Sequence, residues 1–319
     1  MQNIADALCQ RIAAKRSPIV VGLDPVYGRI PHCYTNRQGA KPPFELVADA
    51  IVGFNRDIID AVWDIVPAVK PQLAFYEQYG SAGIRAFEQT IAYARSKDLI
   101  VVEDGKRNDI GNTAQAYAGG HLGAVEVMDG AMIPGFDVDF MTVSPFLGSE
   151  SLKPFVNTCI EHSKGIFILV RTSNPGSGEV QEAVTAGGDT VSAAIAKLIA
   201  DWAEEYRGEM GYSAIGAVVG ATYPKEAEWL RGAMPRSIFL VPGYGAQGGS
   251  AADVLPCFKA DGFGAIVNSS RNVLYAYEKS ATAANCTREA YIESARAAAQ
   301  KMREDIYSAL AKGCARLSY

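Results

Sequence analysis

Residues 99–106 read LIVVEDGK. Four apolar residues in unbroken succession, closed by two acids, a glycine and a lysine, describe a strand covered on both faces whose carboxyl end carries charge. Working outward from this stretch, the same kind of run recurs: IVVGLD (19–24) and AVKPQLAFY (68–76) before it, FMTVS (140–144), GIFILVRT (165–172), AIGAVVG (214–220), SIFLVPG (237–243) and GAIVNSS (264–270) after it. Helix-period stretches fall between the runs. They cover 45–65, where Val47, Ile51, Phe54 and Ile58 recur at helical spacing, then 80–96, 111–129, 149–163, 190–207, 223–232 and a long 286–312. Eight strand–helix units with no linker or composition break predict an α/β fold, a (β/α)8 TIM barrel, with residues 1–319 forming one domain that adds N-terminal and C-terminal helices. A doubly wound open sheet is the competing architecture. It usually has fewer strands, and its GxGxxG fingerprint is missing after the first strand, which ends in GLDP.

Composition excludes several function classes. Hydrophobic residues at 49%, charged residues at 20%, and 31 Gly against 15 Pro are ordinary globular values, not those of a disordered or fibrous chain. A net charge of −5 argues against a nucleic-acid partner, which would need a basic face. No apolar run approaches 18 residues, so no membrane span is expected. Ile4, Leu8 and Ile12 give the N-terminus the spacing of an amphipathic helix rather than a signal peptide, and a cytoplasmic location is expected. The six cysteines form no CxxC pair and the histidines at 32, 121 and 162 are scattered, so neither disulfides nor a short-range metal site is expected.

The chemistry-bearing residues gather at the carboxyl ends of the predicted strands: Asp24 on the first, Lys70 on the second, Asp104 and Lys106 on the third. Strand residues i and i+2 face one side, so Asp104 and Lys106 point together and Lys70 can lie beside them. Such a cluster reads equally as a salt-bridge network at the barrel mouth or as a site. Asp109, just before a helical stretch with Thr113 on its first turn, reads in isolation as a helix N-cap. After the seventh strand the run PGYGAQGG (242–249) would let backbone amides approach an anion, and Arg271 follows the eighth strand with a planar fork suited to phosphate. The long loops 25–43 and 173–189 both follow strands and belong at the same mouth.

DGKRNDIGNT (104–113) resembles the DxKxxDI signature of the orotidine 5′-phosphate decarboxylase family. VGLDP, AVKPQLAFYEQYG, RTSNPGSG, VPGYGAQGG and VNSSR follow in that family's order, over roughly residues 19 to 276. DGKRNDIG and the long loops are more similar to the longer second subfamily than to the compact one, with Gly105 and Gly111 standing where the compact pattern has a bulky residue and a proline. The resemblance implies decarboxylation of orotidine 5′-phosphate to uridine 5′-phosphate, the last step of de novo pyrimidine nucleotide synthesis, without metal or other cofactor. It assigns Lys70, Asp104, Lys106 and Asp109 to a charged catalytic network, with Lys106 the proton donor. It further implies a homodimer with shared active sites, in which Asp109 and Thr113 reach the partner's site. Asp24 matches the ligand of ribose hydroxyls, Ser173 the serine at the pyrimidine edge, and Gln247 and Arg271 the phosphate ligands.

These residue types suit that chemistry. Loss of CO₂ from C6 of a pyrimidine leaves carbanion character with no adjacent electron sink, so a fixed ammonium must stabilise the charge and then donate the proton. A metal-dependent sugar-phosphate lyase or epimerase on a related barrel is the main alternative, but it needs a further carboxylate where this chain has the cation Lys70. A Schiff-base aldolase would want one desolvated lysine of lowered pKa rather than two paired with carboxylates. A barrel that only binds a nucleotide would not need the Lys-Asp-Lys-Asp set.

Overall fold

The computed structural model describes every residue except 1, 36–40, 246–247, 280–282, 284–285 and 315–316. The eight apolar runs become eight parallel strands: β1 (Ile19–Leu23), β2 (Ala68–Pro71), β3 (Ile100–Arg107), β6 (Phe140–Val143), β7 (Gly165–Arg171), β8 (Ser213–Val219), β9 (Ser237–Val241) and β10 (Ala265–Ser269). They close in the order β1-β10-β9-β8-β7-β6-β3-β2, which is the (β/α)8 barrel read from the sequence. The principal helices are α1 (Ile4–Lys15), α2 (Pro43–Val62), α3 (Gly80–Ser96), α4 (Gly111–His121), α5 (Ser149–His162), α6 (Val191–Glu205), α7 (Pro224–Ala233) and α8 (Arg288–Gly313).

Alternation along the strands sorts the apolar residues into two cores. Ile19, Val21 and Leu23 pack outward with the helices, while Val20 joins Ala68, Ile100, Val102, Phe140, Phe167, Leu240 and Ile266 in a separate interior cluster. Helix α1 adds Leu8, Cys9 and Ile12 to that interior cluster, so the amphipathic N-terminus closes the floor of the barrel. Phe140 and Phe167 stack there with ring centroids 5.0 Å apart. Above this apolar floor the next inward positions are Lys70, Asp104, Thr142 and Asn268, all buried and polar. The fold therefore fills its lower half mainly with hydrocarbon and presents this set of hydrogen-bonding groups at the carboxyl ends of the strands.

One expected helix is shorter than its pattern suggested. The stretch 111–129 is helical only to His121; beyond it β4 (Ala124–Glu126) and β5 (Met132–Pro134) form an antiparallel pair around a turn at Asp129 and Gly130, both with positive φ. Asp-Gly between short apolar segments is a hairpin signal, and it outweighs the helical spacing here. Among the described residues no helix is long and apolar enough to cross a membrane.

Candidate active site

The strand ends surround a cavity of about 590 Å³. Asp24, Lys70, Asp104, Lys106, Ser173 and Arg271 all line it, so six of the residues singled out in the sequence meet at one place. Gln247 lies outside the described residues. Asp109 and Thr113 do not line the cavity of their own chain.

Asp104 is the hub. Its Oδ2 accepts a hydrogen bond from Lys70 Nζ at 2.7 Å, and its Oδ1 accepts from Lys106 Nζ at 2.5 Å and from the Thr142 hydroxyl at 3.0 Å. Burial by itself would raise the Asp104 carboxyl, but the two ammonium groups outweigh it and hold that carboxyl well below the usual carboxylate range. Burial likewise pulls against the Lys70 ammonium, and Asp104 together with Asp24 reverses the effect and raises its pKa. Asp104 is thus an ionised carboxylate fixed between two cations. Lys70 is enclosed, whereas the side chain of Lys106 is 46% exposed on the cavity side of the pair.

The backbone that carries this cluster is irregular. The pairing of β3 with β6 shifts register between Glu103 and Arg107, and Lys106 sits at φ +48°, a left-handed conformation unfavourable to a side-chain-bearing residue. Simple alternation therefore placed Asp104 and Lys106 together correctly, but the lysine arrives there through a bulge. The two glycines of this segment have separate causes. A Cβ at Gly105 would stand 2.5 Å from Oε1 of buried Glu103, whose other oxygen pairs with His121 Nδ1 at 2.8 Å. Gly111 adopts φ +53°, which proline cannot reach.

Asp109 does not cap its helix. The N-cap position of α4 is Ile110, no side chain caps it, and Asp109 Oδ1 accepts only from the N–H of Ile110, at 2.8 Å. The capping reading is corrected accordingly. Ile110, next to Asp109 in the chain, is exposed, as are Phe146 and Leu147 on the loop after β6, the strand paired with β3.

Around the rest of the cavity, the glycine-rich loop contributes Gly243 and Tyr244 to the wall, and its residues 246–247 lie outside the described residues. The N–H groups of Gly245, Gly248 and Gly249 donate to carbonyls within the loop. Arg271 supplies an exposed guanidinium with no carboxylate at ion-pair distance among the described residues. Loop 173–189 lines the cavity through Ser173, Ser177 and Gln181 and is anchored by buried Arg171, which bonds Ser177 Oγ at 2.5 Å, pairs with Glu182 and stacks 3.6 Å over the Tyr223 ring. Loop 25–43 docks on the segment after β10. There Tyr275 OH donates to the Asp24 carbonyl at 3.0 Å and accepts from Val26 N at 2.8 Å, with Arg29 lying over its ring.

Sequence reasoning missed Thr142, Asn268, Ser269 and Gln181, which also line the cavity. Asn268 Oδ1, Ser269 Oγ and Asp24 Oδ1 are buried without a hydrogen-bond partner among the described residues, as groups awaiting a polar ligand would be. The signal available for Thr142 and Asn268 was their position two residues beyond an inward apolar neighbour, Phe140 and Ile266. Among the described residues no group of three or more His, Cys, Asp or Glu is placed to hold a metal ion.

Comparison with known proteins gives concordant findings. Residues 19–286 match the model of the orotidine 5′-phosphate decarboxylase / HUMPS family. An orotidine 5′-phosphate decarboxylase from Rhodopirellula baltica is 42% identical over 306 residues, covering 96% of this chain and 99% of the relative. One from Caldicellulosiruptor saccharolyticus is 36% identical over 312 residues, covering 97% and 100%. A crystal structure of a Streptomyces avermitilis protein assigned as an orotidine 5′-phosphate decarboxylase superposes with a TM-score of 0.77 at 32% identity, covering 98% of this chain and 97% of that one.

Proposed function

The chain belongs to the orotidine 5′-phosphate decarboxylase / HUMPS family, and from that premise we propose how it removes CO₂ from orotidine 5′-phosphate to leave uridine 5′-phosphate. It is a carboxy-lyase of pyrimidine nucleotide synthesis. The bond from C6 to the carboxyl carbon breaks with its electron pair left on C6. The Lys106 ammonium stabilises that pair as it develops and then transfers a proton to it, and the neutral amine regains its proton from solvent. Asp104 accepts the hydrogen bond of the Lys106 ammonium, and the two lysines keep Asp104 ionised although it is buried. The observation that carries this reading is the Asp104 carboxylate held at 2.7 Å and 2.5 Å by two ammonium groups on the cavity wall. Leu169, Val218 and Leu240 supply an apolar part of that wall suited to departing CO₂.

Substrate binding is assigned to Asp24 for the ribose hydroxyls, Ser173 for the pyrimidine edge, and Gln247 and Arg271 for the phosphate. The reaction is read as free of metal and cofactor. The working unit is read as a homodimer with shared sites, to which Asp109 and Thr113 of one chain contribute in the partner's cavity. Support comes from Asp109 lying outside its own cavity without a capping role, and from exposed apolar side chains on this part of the fold: Ile110, next to it in the chain, and Phe146 and Leu147 on the loop after β6, which are 52%, 80% and 47% accessible. The DGKRNDIG block and the two long loops support placement in the longer subfamily. Packing of α1 and α8 on one barrel supports a single domain over 1–319, and six free cysteines fit a cytoplasmic location.

The test is the near-ultraviolet absorbance of orotidine 5′-phosphate followed with purified, chelator-treated protein. Turnover to uridine 5′-phosphate is expected. Activity that disappears on chelation and returns with Mg²⁺ would transfer the chain to a metal-dependent lyase or epimerase reading.

A further inference from the structure

Thr142 lies on β6, is 1% exposed, and faces the cavity one layer above Phe140. Its Oγ1 accepts a hydrogen bond from the backbone N–H of Lys106 at 3.0 Å and donates one to Asp104 Oδ1 at 3.0 Å, the same oxygen that receives Lys106 Nζ at 2.5 Å. The contacts close a ring running from the Lys106 amide through the Thr142 hydroxyl and the Asp104 carboxylate back to the Lys106 ammonium. Lys106 needs such support. It occupies a left-handed backbone conformation within a register shift, where the regular ladder does not hold its amide and a non-glycine residue is strained.

We propose that Thr142 is a positioning residue for the decarboxylation: its hydroxyl fixes the strained backbone of Lys106 and the Asp104 oxygen that Lys106 faces, and so sets where the ammonium stands relative to the reacting carbon. This rests on the assignment of Lys106 as proton donor. Only a hydroxyl of this size can accept from the amide and donate to the carboxylate at once; valine has the same shape and does neither. Because the ring does not include Asp24 or Arg271, its loss acts on the chemical step rather than on ribose or phosphate binding.

The experiment compares Thr142→Val, Thr142→Ala and Thr142→Ser with wild type in kcat and KM for orotidine 5′-phosphate and in hydrogen exchange of the Lys106 amide. A hydrogen bond to a charged group corresponds to roughly tenfold to a hundredfold in rate. The valine and alanine variants should lose kcat by about that factor with KM changed less than about threefold, and should lose protection at the Lys106 amide by a similar factor. The serine variant should restore both to within about threefold, because it keeps the hydroxyl. If the valine variant does not fold, the alanine variant carries the same expectation. Full kcat in either hydroxyl-free variant, or equal impairment in serine and valine, would overturn the proposal. Wild-type protein without decarboxylase turnover would sink the reaction reading instead, and amide protection unchanged in the hydroxyl-free variants would then still refute the positioning role.

Discussion

Replacing Lys70 by methionine removes one of the two cations that keep Asp104 ionised, while leaving a side chain of similar length in the barrel. Lys70 and Asp104 are 4% and 8% exposed, so the remaining carboxylate cannot recover its hydration, and Lys106, with its side chain about half exposed, compensates only in part. Breaking a buried ion pair by deleting one partner costs about 3–5 kcal/mol. With an unfolding entropy of about 2 cal/mol/K per residue over 319 residues, that corresponds to a fall of roughly 5–8 °C in Tm at neutral pH. The sign of the pH dependence follows from the direction of the shift. The folded-state pKa of Asp104 is depressed, so its contribution is fully present above the unfolded value near ~3.9 and is lost only as pH falls through the lower folded value. In Lys70→Met the folded value rises, and the variant's deficit should be largest at pH 7–8 and narrow as pH approaches about 4. Scanning fluorimetry at several pH values measures this directly, and the double variant Lys70→Met/Asp104→Asn, which buries no unpaired charge, should regain at least half of the lost stability. A single variant that melts within 1 °C of wild type at neutral pH, or a deficit independent of pH, would refute the argument that Asp104 depends on Lys70 for its charge.

Three further outcomes are expected. Exhaustive chelation should leave turnover within about twofold, since Lys70 stands where a metal site would want a carboxylate; dependence on added Mg²⁺ would contradict this. Arg271→Ala should lower kcat/KM for the nucleotide by about tenfold to a hundredfold while hardly changing turnover of the nucleoside orotidine, and equal losses on both substrates would remove Arg271 from phosphate binding. Lys106→Ala and Asp109→Ala should each be severely impaired, yet their mixture, once chains have exchanged, should recover about a quarter of wild-type activity because half the dimers are mixed and each mixed dimer holds one intact site. Exchange shown by tagged-chain pull-down with no recovery would confine the site to one chain.

Most of the barrel was legible because a strand covered by helices outside and by other strands inside must be apolar at every position, and eight such runs leave few other architectures. The same logic exposed Asp24, Lys70 and Asp104: each is a charged residue at or just past the carboxyl end of a run that begins as hydrocarbon. What escaped the sequence is decided by contacts between distant segments. The hairpin β4–β5 was hidden because its first strand lay inside a stretch read as helical, 111–129, which ran up to the Asp129–Gly130 turn. Asp109 looked like a cap because an acid before a helix usually is one; only the geometry shows that the cap position falls on Ile110. Nothing local in the sequence marks Arg231 on α7 as buried, yet its guanidinium bonds the carbonyls of Cys257, Met234, Ser237 and Gly264.

The least legible features lie closest to the chemistry, and there is a physical reason for that. A regular ladder aims side chains by alternation alone, which would leave Lys106 pointing inward along the strand with no control over the distance from its ammonium to Asp104. Two of the register shifts in the barrel fall at the mouth, at Glu103/Arg107 beneath Lys106 and at Leu169/Arg171 beneath the loop that carries Ser173. The first turns Lys106 onto Asp104. The second frees Arg171 to leave the strand pattern and hold Ser177 and Glu182 of the loop above. A bulge costs a ladder hydrogen bond and some strain, so it persists where neighbouring groups restore what is lost, as Thr142 does for the Lys106 amide and Ser177 and Glu182 do for Arg171. Those restoring groups are far away in sequence, 36 residues in the first case and six and 11 in the second, and carry no mark of their role beyond being polar where an apolar or surface residue would serve. Local rules therefore locate the strand ends where a site must be, and fail at the few positions where the site requires the backbone to depart from those rules.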